Sequence, residues 1–301
     1  MISTIKKIPK VLEGYIDDFL HGPREILIYK LSLLFIVAFT KSDYGIHIPL
    51  RILALYMIFS DKLCQSKSLW GILALGNIAI IASQWDYIDN HKYLSCYWLT
   101  ACYLSLYAEH RLKYLQNNAR ILVGLVFTLA TFHKIIWGEY LDGSFFHFTY
   151  LVDQRFADFV TAIANFTPDV LQANNETIHM MRDFPLDYAQ GTITSHANVR
   201  NIALFSSYWV ILIEGSVGLS FLFALKSKFI NKIKDWILLL FIFSTYGLVM
   251  VAGFNYMLVL LGISSTKLDA RKTTIGYMLA LMVFEMRNIP WSKYALHLFA
   301  Y

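Results

Sequence analysis

The chain has 301 residues, 57% of them hydrophobic and 16% charged, with a mean hydropathy of +0.49 and a net charge of +5. Soluble domains carry roughly 25% charged residues, so this composition excludes an ordinary soluble core, which would lack the polar surface to cover it. Apolar residues come in long blocks rather than alternating over segments of about ten residues, which excludes a β-barrel. The basic residues gather at block ends, as the positive-inside rule expects of a membrane protein and not as nucleic-acid binding would require. The expected fold class is therefore all-α: a polytopic integral membrane bundle of eight or nine spans.

In chain order, Ile8, Val11, Leu12, Tyr15, Ile16, Phe19 and Leu20 share one helical face beside Lys6, Lys7 and Lys10. Residues 1–24 read as an amphipathic segment on the cytoplasmic surface, with a plain core-packing helix as the alternative. No cleavable signal peptide is evident. Candidate spans follow at 25–40, 49–60, 69–85, 93–108, 119–137, 202–225, 236–252, 253–266 and 274–290. Several are shorter than the roughly 20 residues of a full span, and 236–266 reads either as one helix kinked near Gly253 and Asn255 or as a short hairpin. Basic residues at 1–24, Lys62 and Lys67, Arg111 to Arg120, and Lys226 to Lys234 favour a cytoplasmic N-terminus. Segment 138–201 then lies outside the cytoplasm. Its length predicts helices that cap the outer face, because a long structureless loop is uncommon. The sequons at Asn165 and Asn175 fall within it. Cys64, Cys96 and Cys102 show no metal-ligand spacing and read as reduced packing residues.

The ionisable groups inside apolar blocks carry the functional expectation. Lys134 lies about one turn from the outer end of its helix, where it either snorkels to the interface or does chemistry. Glu214 lies about twelve residues into its span, roughly 18 Å from that end. A carboxyl at that depth must be neutral, paired or in a wet cavity. Gly215, Ser216 and Gly218 beside it permit close helix approach. The estimated depths of Lys134 and Glu214 differ by roughly 6–12 Å, which argues against direct pairing. Two readings stay open: Glu214 fixes helix packing, or Glu214 and Lys134 line one outward-opening pocket. Arg51 opens the second span on the outer side and joins Glu214 and His133 in the candidate ligand-binding set. His133, pointing about 100° away from Lys134, reads as a helix–helix hydrogen-bond donor. No P-loop, Rossmann glycine pattern, H-E-x-x-H or G-x-S-x-G is present, and no metal site is expected.

From Lys134 the chain runs through a short polar turn to an aromatic-aliphatic pair, Tyr140-Leu141, and then Gly143, and this resembles the lysine-turn-glycine motif of the horizontally transferred transmembrane domain family. That family includes the membrane domain of vitamin K-dependent gamma-carboxylase. Pro23 to Lys30 resembles its first-helix entry, with Lys30 where Arg is usual, and Glu214 and Phe254 to Leu258 resemble later helix signatures. The resemblance implies a single transmembrane domain over 25–301, in a bacterial inner membrane. It implies a quinone or quinol ligand, with Lys134 as the base that deprotonates it, which a desolvated amine can do near neutral pH. A protein gamma-carboxylase is not expected, because the chain ends soon after its last span and the luminal domain is absent. The leading expectation is a pocket lined by Lys134 and Glu214 that binds a quinone-like or other lipophilic ligand, with redox or proton-transfer chemistry. The alternative is a non-enzymatic membrane factor in peptide maturation, immunity or assembly. The expected partners are the bilayer, a lipophilic ligand and a membrane protein, and not nucleic acid.

Overall fold

Each apolar block of the sequence becomes a helix in the computed structural model. The model describes residues 22–39, 45–86, 90–164, 166–183, 192–249, 251–267 and 270–288. The amphipathic segment before residue 22, the Asn165 sequon and the Phe184–Pro185 stretch lie outside the described residues. Among those described, all regular structure is helical. Helices α1 (Arg24–Phe39), α2 (His47–Ile58), α3 (Asp61–Cys64), α4 (Lys67–Ser83), α5 (Asn90–Ser105) and α6 (Arg111–Trp137) are followed by a cluster of shorter ones. These are α7 (Ser144–Val152), a 3-10 turn (Gln154–Phe156), α8 (Ala157–Ala164) and α9 (Pro168–Asp183). Then come α10 (Ala197–Phe223), α11 (Lys228–Tyr246), α12 (Ala252–Ser265) and α13 (Arg271–Asn288). The chain leaves helical form after Tyr246 and re-enters it at Ala252, so 236–266 is two helices. The expected helices in 138–201 are present as α7 to α9. Among the described residues, helices α6 and α10 are the two long and apolar enough to cross a membrane. At 27 residues, each is about 40 Å long.

The chain divides into two units, residues 1–122 with 256–278, and residues 123–255 with 279–301. In the first unit, polar groups are turned inward. Trp98 Nε1 donates to Ser32 Oγ at 2.9 Å, and Ser32 Oγ donates to Ile28 O at 2.7 Å. Tyr29 and Ser105 share a hydrogen bond of 2.6 Å, and Trp70 Nε1 donates to Cys64 O at 2.7 Å. Cys64, Cys96 and Cys102 are free thiols, the first and last of them buried, in keeping with a packing role.

The C-terminal end of α12 carries carbonyls that no helical amide can reach. Side chains from α1 and α6 meet them. Arg24 Nη2 donates to Ile263 O at 2.9 Å, to Thr274 Oγ1 at 3.1 Å and to the Thr266 hydroxyl. Gln116 Nε2 reaches Thr266 O at 2.8 Å, and Arg120 Nη2 reaches Ser265 O at 3.4 Å. Cations at a helix C-terminus also complement its dipole. Lys30, on the same helix as Arg24, pairs with Asp61 at 2.7 Å, with both side chains partly exposed.

In the second unit, α7 to α9 pack on the first half of α10. Their shared core contains Tyr150, Leu151, Phe156, Val160, Phe166 and Leu171 against Val199 and Ala203. Asn174 locks this cap. Its Nδ2 donates to Leu151 O at 3.1 Å and Thr194 O at 2.8 Å, and its Oδ1 accepts from Thr194 N at 2.9 Å. Pro168 opens α9, where its missing N–H costs nothing. Lys234 and Asp235 lie on α11, not in a loop, and pair at 2.6 Å with both side chains buried. Lys234 also sits over the Phe221 ring at 4.8 Å.

Arg24→Ala removes a charged donor from several acceptors at once. Its expected cost is about 1.5–3 kcal/mol, whereas Lys30→Ala, which breaks an exposed pair, should cost less than about 1 kcal/mol. Thermal unfolding of the two variants in detergent measures the difference, and equal losses would refute the capping role of Arg24.

Candidate functional site

The site is set by how closely α6 and α10 approach. A β-carbon at Gly218 would lie 2.6 Å from Thr128 Oγ1 and 2.8 Å from the Thr128 amide nitrogen, and one at Gly124 would lie 2.7 Å from Leu222. At Gly215 the nearest atom, Thr131 Cγ2, is 3.4 Å away. Position 124 faces 222, 128 faces 218 and 131 faces 215, so the two helices run antiparallel in one continuous register. That register brings position 134 opposite 212, within one helical turn of 214.

Lys134 Nζ donates to Glu214 Oε2 at 2.7 Å, and the two side chains are 14% and 12% exposed. The expectation that their depths keep them apart is corrected. It rested on α6 and α10 ending at one level. In the structure α10 begins at Ala197, about three turns beyond the point where it passes Trp137, the last residue of α6. Helix α6 stops at Gly138, whose φ of +76° breaks the helix. The turn that follows lies along the extra length of α10. Tyr208 Oη donates to Leu141 O at 3.0 Å, and Gly143, also at φ +76°, is packed against Leu204 so closely that a β-carbon would lie 2.9 Å away.

The turn adds a third group. The Tyr140 ring lies 5.2 Å from Lys134 Nζ, within cation–π range, and stacks on Phe145 at 4.3 Å. Burial, then the charges of Glu214 and Glu139, push the Tyr140 hydroxyl above its ordinary value, so it remains a neutral donor. At the next helix start, Asp142 accepts from the Ser144 amide at 2.8 Å, and the bonds from Ser144 hold its carboxyl below the ordinary range. His133 is exposed, with its ring 5.5 Å from Trp137 on the same helix. It therefore packs along its own helix instead of bridging to another. Arg51 is half-buried on α2, in the first unit. The structure thus joins Lys134 to Glu214 and adds Tyr140, while His133 faces outward.

A separate cavity of about 640 Å³ lies between the cap helices and α10 and α11, and neither Lys134 nor Glu214 lines it. It is distinct from the expected pocket lined by the two charges. Phe146, Tyr150, Phe156, Phe159, Phe205 and Trp209 form much of its wall. Val210 also lines it, one helical turn before Glu214 on the same helix. The polar lining is Asn201, Ser206, Ser244 and Thr245, with no charged side chain. Such a wall suits a neutral, apolar occupant of a size typical for small-molecule sites. Sequence reasoning assigned these aromatics to helix interfaces and missed the cavity. Its one sequence signal is the set of small hydroxyl residues, Ser206, Ser244 and Thr245, within apolar helices.

Replacing Lys134 by Met leaves the Glu214 carboxylate without its partner, at an expected cost of about 3–5 kcal/mol, and a Lys134→Met/Glu214→Leu double variant should recover most of it. Unfolding of the three proteins in one detergent checks this, and additive losses would sink the pairing. Gly218→Ala should cost about 1–3 kcal/mol by overpacking against Thr128, while Gly215→Ala should be near neutral. No protein-family model, curated protein or solved structure matches this chain.

Proposed function

We propose that the chain is an integral membrane protein whose cap cavity holds a neutral lipophilic ligand drawn from the bilayer. The observation that carries the reading is the charge-free aromatic cavity set against helices whose outer faces are apolar. On α6, Ile121, Leu125, Leu129, Phe132 and Ile136 are all exposed at helical spacing, and on α10 so are Phe205, Tyr208, Leu212, Leu219 and Phe223. Meanwhile Ser206, Ser207, Glu214 and Ser220 of α10 are buried. Large exposed apolar stripes over buried polar groups suit lipid and not water. The remaining apolar helices would complete a bundle of eight or nine spans, with a cytoplasmic N-terminus and the cap on the far side.

The motif resemblance around Lys134 to Gly143 supports placing the chain with the horizontally transferred transmembrane proteins, and quinones are one ligand class of suitable shape. The geometry supports binding better than proton abstraction. Lys134 is engaged with Glu214 at 2.7 Å, so it offers no free lone pair until the pair parts. In this proposal Lys134 and Glu214 tie the two long helices together below the cavity floor at Val210.

Native mass spectrometry of protein purified in mild detergent tests the proposal. Wild type should carry a lipophilic molecule. Val210→Trp, which intrudes into the cavity from α10, should lower its occupancy about tenfold or more while the thermal unfolding temperature changes little. Undiminished retention in this variant would count against the site.

A further inference from the structure

We infer that the turn around α3 is a docking site for an anionic phospholipid, whose head group meets Lys62 and Lys67 while its chains lie along α2. This rests on the membrane reading above, and it concerns a surface of the first unit, apart from the cap cavity. Lys62, Lys67 and Lys113 are exposed, and none of them forms an ion pair among the described residues. The one carboxylate on α3, Asp61, is already paired with Lys30 at 2.7 Å. The lysines outnumber Glu109, the exposed acid of the connection between α5 and α6, so the surface is positive.

The turn is held from three sides. Trp70 Nε1 of α4 donates to Cys64 O at 2.7 Å, Arg111 Nη1 at the start of α6 donates to Gln65 Oε1 at 2.8 Å, and Lys30 of α1 holds Asp61. A backbone fixed in this way loses little freedom when a ligand docks. Aromatic surface lies beside the cations. Lys67 Nζ sits 4.2 Å over the Tyr107 ring, and the hydroxyls of Tyr107 and Tyr103 are 3.2 Å apart. Phe59, just past the end of α2, is 78% exposed, and Tyr56 is 59% exposed. Ile52 and Ile48 follow at helical spacing and are exposed too, so an apolar face runs from Phe59 along α2. Aromatic rings at such a boundary suit the membrane interface. Lysines at the head of an apolar helix face match both parts of a lipid, its anionic phosphate and its chains. A free phosphate or a soluble acid would use only the lysines.

Dioleoyl phosphatidylglycerol and dioleoyl phosphatidylcholine share their chains and differ in head-group charge. Binding of each to the full chain in mild detergent is read by native mass spectrometry across a titration. Wild type should bind phosphatidylglycerol about tenfold more tightly, and the preference should shrink as salt is raised. Lys62→Gln/Lys67→Gln should abolish the preference and leave phosphatidylcholine binding unchanged. Lys226→Gln/Lys228→Gln, which removes the same charge from exposed positions of the second unit, should retain it. Phe59→Ser should weaken both lipids alike. Equal affinity in wild type, a preference that persists in Lys62→Gln/Lys67→Gln or is lost in both double variants, or no loss in Phe59→Ser would overturn the assignment. So would release of bound phosphatidylglycerol by equimolar inorganic phosphate, which would point to free phosphate, or tighter binding of polyglutamate, which would point to an acidic protein. Failure of wild type to bind either lipid would overturn the membrane reading, and this assignment with it.

Discussion

Gly124 and Gly218 let α6 and α10 approach until backbone meets side chain, and the second unit depends on that approach. A β-carbon at 218 would stand 2.8 Å from the backbone nitrogen of Thr128, a contact that real side chains do not make. Close approach locks the register of the two helices, and the register decides which residues meet. Lys134 and Glu214 fall within one helical turn of each other as a result. Their 2.7 Å contact is a consequence of glycine packing, and it in turn supplies the partner that a carboxylate in low dielectric requires.

Polar groups within the two units are satisfied by different means. In the first, the end of α12 is held by Arg24, Gln116 and Arg120, so that a helix terminus normally left to water is closed by side chains. Trp70, Trp98 and Tyr29 bring their polar tips to inward-facing oxygens. In the second, the neighbouring amides of Asn174 and Asn175 tie the cap. Several buried polar side chains are paired in this way, while Leu, Ile and Phe occupy the exposed faces of α6 and α10. A hydrophobic core alone would not explain that arrangement, because it places the apolar surface on the side where water would penalise it.

The cavity exists because α10 outruns α6. Helix α10 continues about three turns past Trp137, and α7 to α9 fold over that extra length. Their aromatic side chains meet α10 and the end of α11 around a space they do not fill. Helix α11 stops at Tyr246, which leaves Ser244 and Thr245 of its last turn at the cavity wall. The charged pair lies one turn further along α10 than Val210 of the wall, so the apolar site and the ionic tie share one helix but not one surface.

Apolar block length and the charges between blocks were enough to place the helices, because a helix must satisfy its backbone locally and a long apolar run signals its own burial or lipid contact. Helices α1, α2, α4 to α6 and α10 to α13 therefore match the sequence spans closely, and α7 to α9 follow from the length of 138–201. The sequence also marked Lys134 and Glu214 as the charges that needed an explanation. It did not decide their pairing, since depth counted from helix ends assumes that neighbouring helices end at one level, and that offset is a property of packing. Nor did it mark Arg24 as the cap of α12 or the aromatics of α7 and α8 as a cavity wall, because both depend on residues more than a hundred positions apart in one case and on unfilled space in the other. Local composition determined what each segment is. Tertiary structure alone decided which side chains meet, because helix register, offset and voids arise only when separate segments pack.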